Sequence, residues 1–248
     1  MGTTAVAPAP GGEPARIGAF GRVTGVLFSP GATFQDIVRK PSFVAPLAIL
    51  TLLALLSTFF LMPKVNWQDF MRRQIESNPT TAKLPDDQKE QRVAIGAKFA
   101  PVIGWCAAAL FPTVFALILG LVYWVGFNLF KGAGLKFSTS FGISSHALIP
   151  IILGTILSTA VIILKAPGDL NPERLAVASL AAYLASDAPH WMVVLGNSVD
   201  LIWFWCLILL AIGFAAANPR KISKGSAFGV VFGLWLLWVA IRVGIAAI

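Results

Sequence analysis

Hydrophobic positions gather into five long runs, separated by polar stretches rich in proline and glycine. The runs are Phe43 to Met62, Pro101 to Phe130, Ile143 to Leu164, Val199 to Ala217 and Ala227 to Ile248. Each is long enough to be read as a helix that spans a bilayer. As a helix the second run measures roughly 45 Å, against a hydrocarbon core of about 30 Å, so it must tilt or protrude. Pro112 offers it a kink, and Pro150 lies near the start of the third run. Ahead of the first run the pattern is amphipathic. Phe20, Val23, Leu27 and Phe28 recur at helical spacing, and Ser29-Pro30 then reads as an N-cap followed by proline at the first helical position. Phe34, Ile37 and Val38 form an apolar stripe opposite Gln35, Asp36 and Arg39. Two short amphipathic helices are predicted, lying on the membrane surface or on the protein's own loops.

The loops carry turn and cap signals. Asn66 caps a helix with Trp67, Phe70, Met71 and Ile75 on one face, and Asn78-Pro79 ends it. Pro85-Asp86-Asp87 then opens a helix with acids at its positive end, and this helix runs into the second span. Asn171-Pro172 is a further cap signal, followed by a weak stripe of Leu175, Leu180, Tyr183 and Leu184. Residues 1–15 are rich in Ala, Pro and Gly, without the features of a signal peptide, and read as a disordered tail. Residues 16–248 read as one membrane domain. Val6 stands where a myristoylation motif beginning at Gly2 wants Ser or Thr.

Composition fixes the class. The chain is 57% hydrophobic and 12% charged, with a mean hydropathy of +0.79. One soluble core cannot hide that much apolar surface, which excludes a soluble enzyme, a disordered chain and a small disulfide scaffold. The expected fold is all-α: a polytopic integral membrane protein, a five-transmembrane-helix bundle with short amphipathic interfacial helices. The net charge of +8 bears first on orientation, because basic loops stay cytoplasmic. With the N-terminus inside, basic residues divide evenly between the two sides. The short segments around 131–136 and 218–224 are basic and free of acids, whereas the opposite side holds most of the carboxylates. This favours an N-terminus inside and a C-terminus outside. No basic stretch is interleaved with aromatics in a soluble segment, so no nucleic-acid partner is expected.

Few residues suggest chemistry. Asp86, Asp87 and Glu90 lie within one helical turn, but nothing nearby completes a calcium shell, and the helix dipole accounts for them. His146 and His190 fall near opposite ends of spans and cannot share a zinc site. No phosphate-loop, nucleophile-elbow or zincin motif occurs. No catalytic residue, metal site or cofactor is expected. Cys106 and Cys206 read as small core hydrophobes. Asp200 and Arg242 are the charges nearest membrane depth, and both map to the outer end, where an ion pair is possible. Gly225, Gly229 and Gly233 form a smooth stripe, expected to be buried against another span of the same chain, with a dimer seam as the alternative. Gly154 and Ser158 form a weaker small-residue pair. Trp203, Trp205, Trp235 and Trp238 stand deeper than a strict interfacial belt.

Several short motifs recur in a telling order. Leu27-Phe28-Ser29-Pro30, then Thr33-Phe34, then Pro41 and Pro46 lead into the first span. Asp86-Asp87-Gln88-Lys89-Glu90-Gln91 precedes the second, and Lys131-Gly132, Phe137-Ser138 and Leu148-Ile149-Pro150 bracket the third. From about residue 16 to the end this arrangement resembles the YIP-domain (Ypt-interacting-protein-type) membrane protein family, in its bacterial form. The chain departs from it at His146, where an aromatic is expected. The resemblance implies a five-helix bundle with a cytoplasmic N-terminus in a plasma (inner) membrane. Eukaryotic relatives work in vesicle traffic and contact Rab-type GTPases. Their Asp-Leu-x-Gly-Pro signature is missing here, with Arg39-Lys40-Pro41-Ser42 in its place, which weighs against small-GTPase binding. The expected role is a non-enzymatic scaffold or accessory partner of a membrane complex, related to export or traffic. A small transporter or channel subunit, or a lipid-handling protein, is the alternative. Beyond the lipid bilayer, the expected partner is a membrane protein of unknown identity. Ser29, Pro30, Phe34, Lys131, Phe137, Arg220 and Lys221 would form its cytoplasmic docking face, which would suit anionic lipid headgroups equally.

Overall fold

The computed structural model describes residues 17–78, 80–166, 175, 178–185 and 188–247. The tail at 1–15 and the cap signal at Asn171-Pro172 lie outside them. Ten α-helices are present among the described residues: α1 (Ala19–Phe28), α2 (Pro30–Arg39), α3 (Val44–Leu61), α4 (Trp67–Ser77), α5 (Asp86–Lys131), α6 (Phe137–Ala147), α7 (Ile151–Leu164), α8 (His190–Ser198), α9 (Leu201–Ala217) and α10 (Lys224–Ala246). Short 3₁₀ turns follow α3, at Met62–Lys64, and precede α8, at Leu180–Tyr183. The fold is an all-α membrane bundle, with a single isolated antiparallel bridge, Ser179 to Asp200, among the described residues.

Among the described residues four helical segments are long and apolar enough to cross a bilayer: Val44–Lys64, Asp86–Lys131, Phe137–Leu164 and Lys224–Ala246. The remaining expected span, the fourth, is α9, a shorter apolar helix of 17 residues. Its N-terminus is set by Asp200, whose Oδ1 accepts the Trp203 N–H at 2.8 Å. The fourth apolar run therefore starts two residues later than its hydropathy suggests. It is separated from α8 by an extended link at Val199–Asp200. The third run begins earlier, at Phe137, and is divided at Leu148–Pro150. Ile151, Ile152 and Leu153 donate to the Leu148, Ile149 and Pro150 carbonyls at 3.0 Å, so this break leaves their amides paired in a medium that offers no water.

Local signals elsewhere act as the sequence implies. The Asn66 side chain accepts from the Gln68 and Asp69 amides, and α5 starts at Asp86 and continues unbroken into the second span. Pro101 and Pro112 lie inside it. Pro30 opens α2, but the Ser29 side chain makes no capping bond; its carbonyl accepts from the Thr33 amide and hydroxyl instead. Of the stripe Leu175, Leu180, Tyr183 and Leu184, Leu180 and Tyr183 lie in the 3₁₀ turn.

The core is centred on α9, whose Cys206, Leu207, Leu209, Leu210, Ala211 and Phe214 are buried. Phe127 of α5 stacks on Phe214 at 4.5 Å. A second cluster joins Leu47 and Leu50 of α3 to Ala116 and Phe141. The long helices turn Leu110, Phe111, Leu121, Leu236 and Trp238 outward, the apolar exterior expected of a surface solvated by lipid. Backbones cross closely where glycine permits. A Cβ at Gly213 would lie 2.5 Å from Ile143 Cγ2 and 3.0 Å from the Phe34 ring, and one at Gly120 would lie 3.1 Å from the Phe141 Cα. Gly213→Ala should therefore overpack the junction of α2, α6 and α9 and lower stability by about 1–3 kcal/mol, measured as thermal unfolding in mild detergent. Unchanged stability would mean that these helices separate freely.

Candidate functional site

The α1–α2 hairpin closes one end of the bundle. Arg22 holds it there. Its Nε donates to Asp36 Oδ2 at 2.7 Å, and its Nη1 donates to the Lys40 carbonyl at 2.9 Å and to Ser42 Oγ at 2.7 Å. Both side chains of the ion pair are largely buried. A buried guanidinium is tolerable only when its donors find acceptors, and here three fixed acceptors on two segments meet that need. The arrangement directs Phe34 onto α9, where it is 0% exposed.

Two loops meet at the same end. Asn218 Nδ2 donates to the Ala133 carbonyl at 2.9 Å, and Lys221 Nζ to the Gly132 carbonyl at 2.6 Å. Gly132 and Gly134 hold positive φ values of 53° and 66°, which glycine adopts without strain. Asn128 closes the turn by exchanging hydrogen bonds with Leu135. The helix 29–39, the 131–137 loop and the 218–224 loop thus share one end of the molecule. Arg39, Lys40, Lys131, Lys136, Arg220 and Lys224 are exposed there. The described acid on this hairpin, Asp36, is taken by Arg22.

One feature of the expected docking face is corrected. Phe34 is no exposed anchor, because Gly213 leaves a gap beside α9 that its ring fills. Phe137 is exposed, with its ring parallel to Phe141 at 6.0 Å and edge-on to Trp124. Pro30 is half-buried and Ser29 exposed.

The glycine stripe is a second correction. Gly225, Gly229 and Gly233 are exposed, and a Cβ added to any of them would meet nothing within 4 Å. Instead α10 meets α5 through Val230 and Leu234, which crowd Gly126, and meets α9 through Phe232 and Trp235, which pack on Phe204. Those positions face the bundle, so glycines one residue away in the helical wheel look to one side. Gly229 and Gly233 line a lateral groove of about 380 Å³ with Leu237, Phe130 and Lys131.

A family model, the Yip1 domain, matches residues 24–245. The chain belongs to the Yip1 domain family. The match is to the domain as a whole and does not single out bacterial members. No curated protein and no solved structure matches the chain.

In this Yip1 domain the remaining candidates stand apart. Asp200 and Arg242 form no ion pair: Asp200 caps α9, and Arg242 is exposed. His146 is buried, with Nδ1 2.8 Å from the Gly142 carbonyl. His190 is exposed at the start of α8. No group of three or more His, Cys, Asp or Glu gathers among the described residues. Cys206 is core, but Cys106 faces outward. Two basic residues that sequence reasoning counted only as charge prove structural. One is Arg22. The other is Lys64, whose Nζ donates to the Ile162, Ile163 and Lys165 carbonyls at 2.8, 2.6 and 2.8 Å and so caps α7 from the turn after α3. Neither has a sequence signal of its own, because every partner is distant or a backbone carbonyl.

Arg22→Met would leave Asp36 buried without its partner and should cost about 3–5 kcal/mol. The double variant Arg22→Met with Asp36→Leu should recover most of that loss. Thermal unfolding in detergent measures both, and a double variant no better than the single one would deny the pair its role.

Proposed function

We propose that this Yip1 domain, taken as residues 16–248, is a non-enzymatic scaffold or accessory subunit that holds a partner membrane protein. The observation that carries the reading is the lateral groove along Gly229 and Gly233, which the chain's own helices leave open beside the exposed Lys131. An apolar groove floored by glycine admits a helix at close range, and small-residue faces of this kind bring membrane helices together. Lys131 lines the groove, and the exposed Arg220 and Lys224 precede Ser226 of its lining in the chain. They favour a partner helix with a carboxylate near them, and they repel a second copy of the same basic rim. The same excess of basic groups supports a cytoplasmic hairpin end in a plasma membrane, with the C-terminus outside.

A photo-crosslinking residue at Leu237 should capture a different membrane protein. Gly229→Ile should abolish that product without changing thermal stability, since its side chain enters open space. Lys131→Glu should reduce it roughly tenfold, the scale of one well-placed charge pair. Capture of a second copy, or of lipid alone, would refute the reading. For orientation, a cysteine probe at Lys221 should label only after permeabilisation, and one in the 63–98 loop from outside.

A further inference from the structure

A cavity larger than the groove lies away from it, between α3, α5, α7 and α9. Its volume is about 620 Å³, within the range of about 300–1,000 Å³ typical of small-molecule sites. It exists because its walls are small. Ala54 of α3, Gly104, Ala107 and Ala108 of α5, and Gly154 of α7 line it where bulkier residues would close it. Both interrupted helices open onto it, α7 at Ile151 and α9 at Asp200. Irregular backbone at membrane depth is tolerated where it borders protein or a cavity, and broken helices commonly frame binding sites there.

Two hydroxyls of the lining have their protons committed, and Ser57, Thr58 and Asn197 complete its uncharged polar part. Thr155 donates its hydroxyl proton to the Ile151 carbonyl at 2.9 Å, and Ser158 donates to the Leu175 carbonyl at 2.6 Å. Each keeps only acceptor lone pairs for a guest. Asp200 is the one charged residue among the described lining. One of its oxygens receives the Trp203 amide, and a carboxylate has further lone pairs to offer. Trp203 also lines the cavity, and an indole ring attracts cations. The nearby ammonium of Lys64 is spent on three carbonyls. An anionic head would meet no cation in this lining, whereas an ammonium, with three donors and no acceptor, matches it.

We propose that this cavity binds an amphiphile bearing a primary ammonium on an apolar body, with Asp200 as the partner of the ammonium and the small-residue wall as the seat of the apolar chain. The source is a membrane aminophospholipid or a single-chain amine. The site is independent of the groove on α10, so either assignment can fail without the other.

The test uses the full chain purified in a neutral maltoside detergent, read by native mass spectrometry and thermal unfolding. Phosphatidylethanolamine and dodecylammonium are compared with phosphatidylglycerol and dodecanoate. Bound mass and a raised Tm with either amine probe, and with neither anion, support the proposal. Phosphatidylethanolamine alone identifies the lipid source, and dodecylammonium alone identifies the single-chain source. Asp200→Asn keeps an equally good helix cap, so the unliganded Tm should hold while amine binding weakens about tenfold through loss of a charge-assisted bond. Ala108→Leu should fill the apolar part and lower binding of the same probes. Equal binding of amines and anions, unchanged amine binding by Asp200→Asn, or no binding of either amine would overturn it.

Discussion

The end of the bundle that carries the hairpin is organised by one buried guanidinium. Arg22 brings together a carboxylate on α2, a carbonyl after α2 and a hydroxyl before α3. Those three points fix the angle at which the hairpin returns to the bundle. From that angle Phe34 and Ile37 reach α9 and become core, and Gly213 is required because the ring of Phe34 occupies the space of a side chain. A hairpin that looks amphipathic and peripheral is thus integral to the protein. Its outward aromatic residues are on α1, with Phe28 83% exposed, and these are available to an interface.

Much of this architecture was legible in the residues. Apolar run length located the membrane helices, Asn66 and Pro30 marked helix starts, and the acids at Asp86 and Asp87 marked the start of the longest helix. The convergence of the hairpin and two basic loops at one end also followed from the order of the runs. What periodicity could not supply was direction around the helix axis. On α10 every face is apolar or small, so nothing in the sequence distinguishes the side of Val230 and Leu234, which meets α5, from the side of Gly229 and Gly233, which does not. The glycines that do permit close approach, Gly120 and Gly126 on α5 and Gly213 on α9, follow no four-residue repeat that would announce them.

Long-range polar contacts were illegible for another reason. Lys64 satisfies carbonyls, which every residue owns, and the side-chain partners of Arg22 lie 14 and 20 residues away, so composition beside either cation carries no trace of the bond. The break at Leu148–Pro150 was visible as a proline but not as a division of the span, because α6 extends below it among buried serines and His146 that hydropathy alone would not place in a helix core. The two ends of the protein also differ in electrostatic character. Exposed cations crowd the hairpin end, whereas the large cavity presents a carboxylate and hydroxyl lone pairs.

The length of α5 sets a clearance. With 46 residues it is about 69 Å long, more than twice the hydrocarbon core of about 30 Å. The stretch from Asp86 to Ala100 rises about 22 Å beyond the apolar part if it follows the helix axis. It is braced by α4, with Met71 seated against Gly96 and Arg72 joined to Glu90 at 3.1 Å. A braced strut of that height acts as a spacer: a bulky domain approaching the bilayer on that side meets the strut tip first, while the mouth of a cavity beside its base stays open to anything small enough to pass beneath.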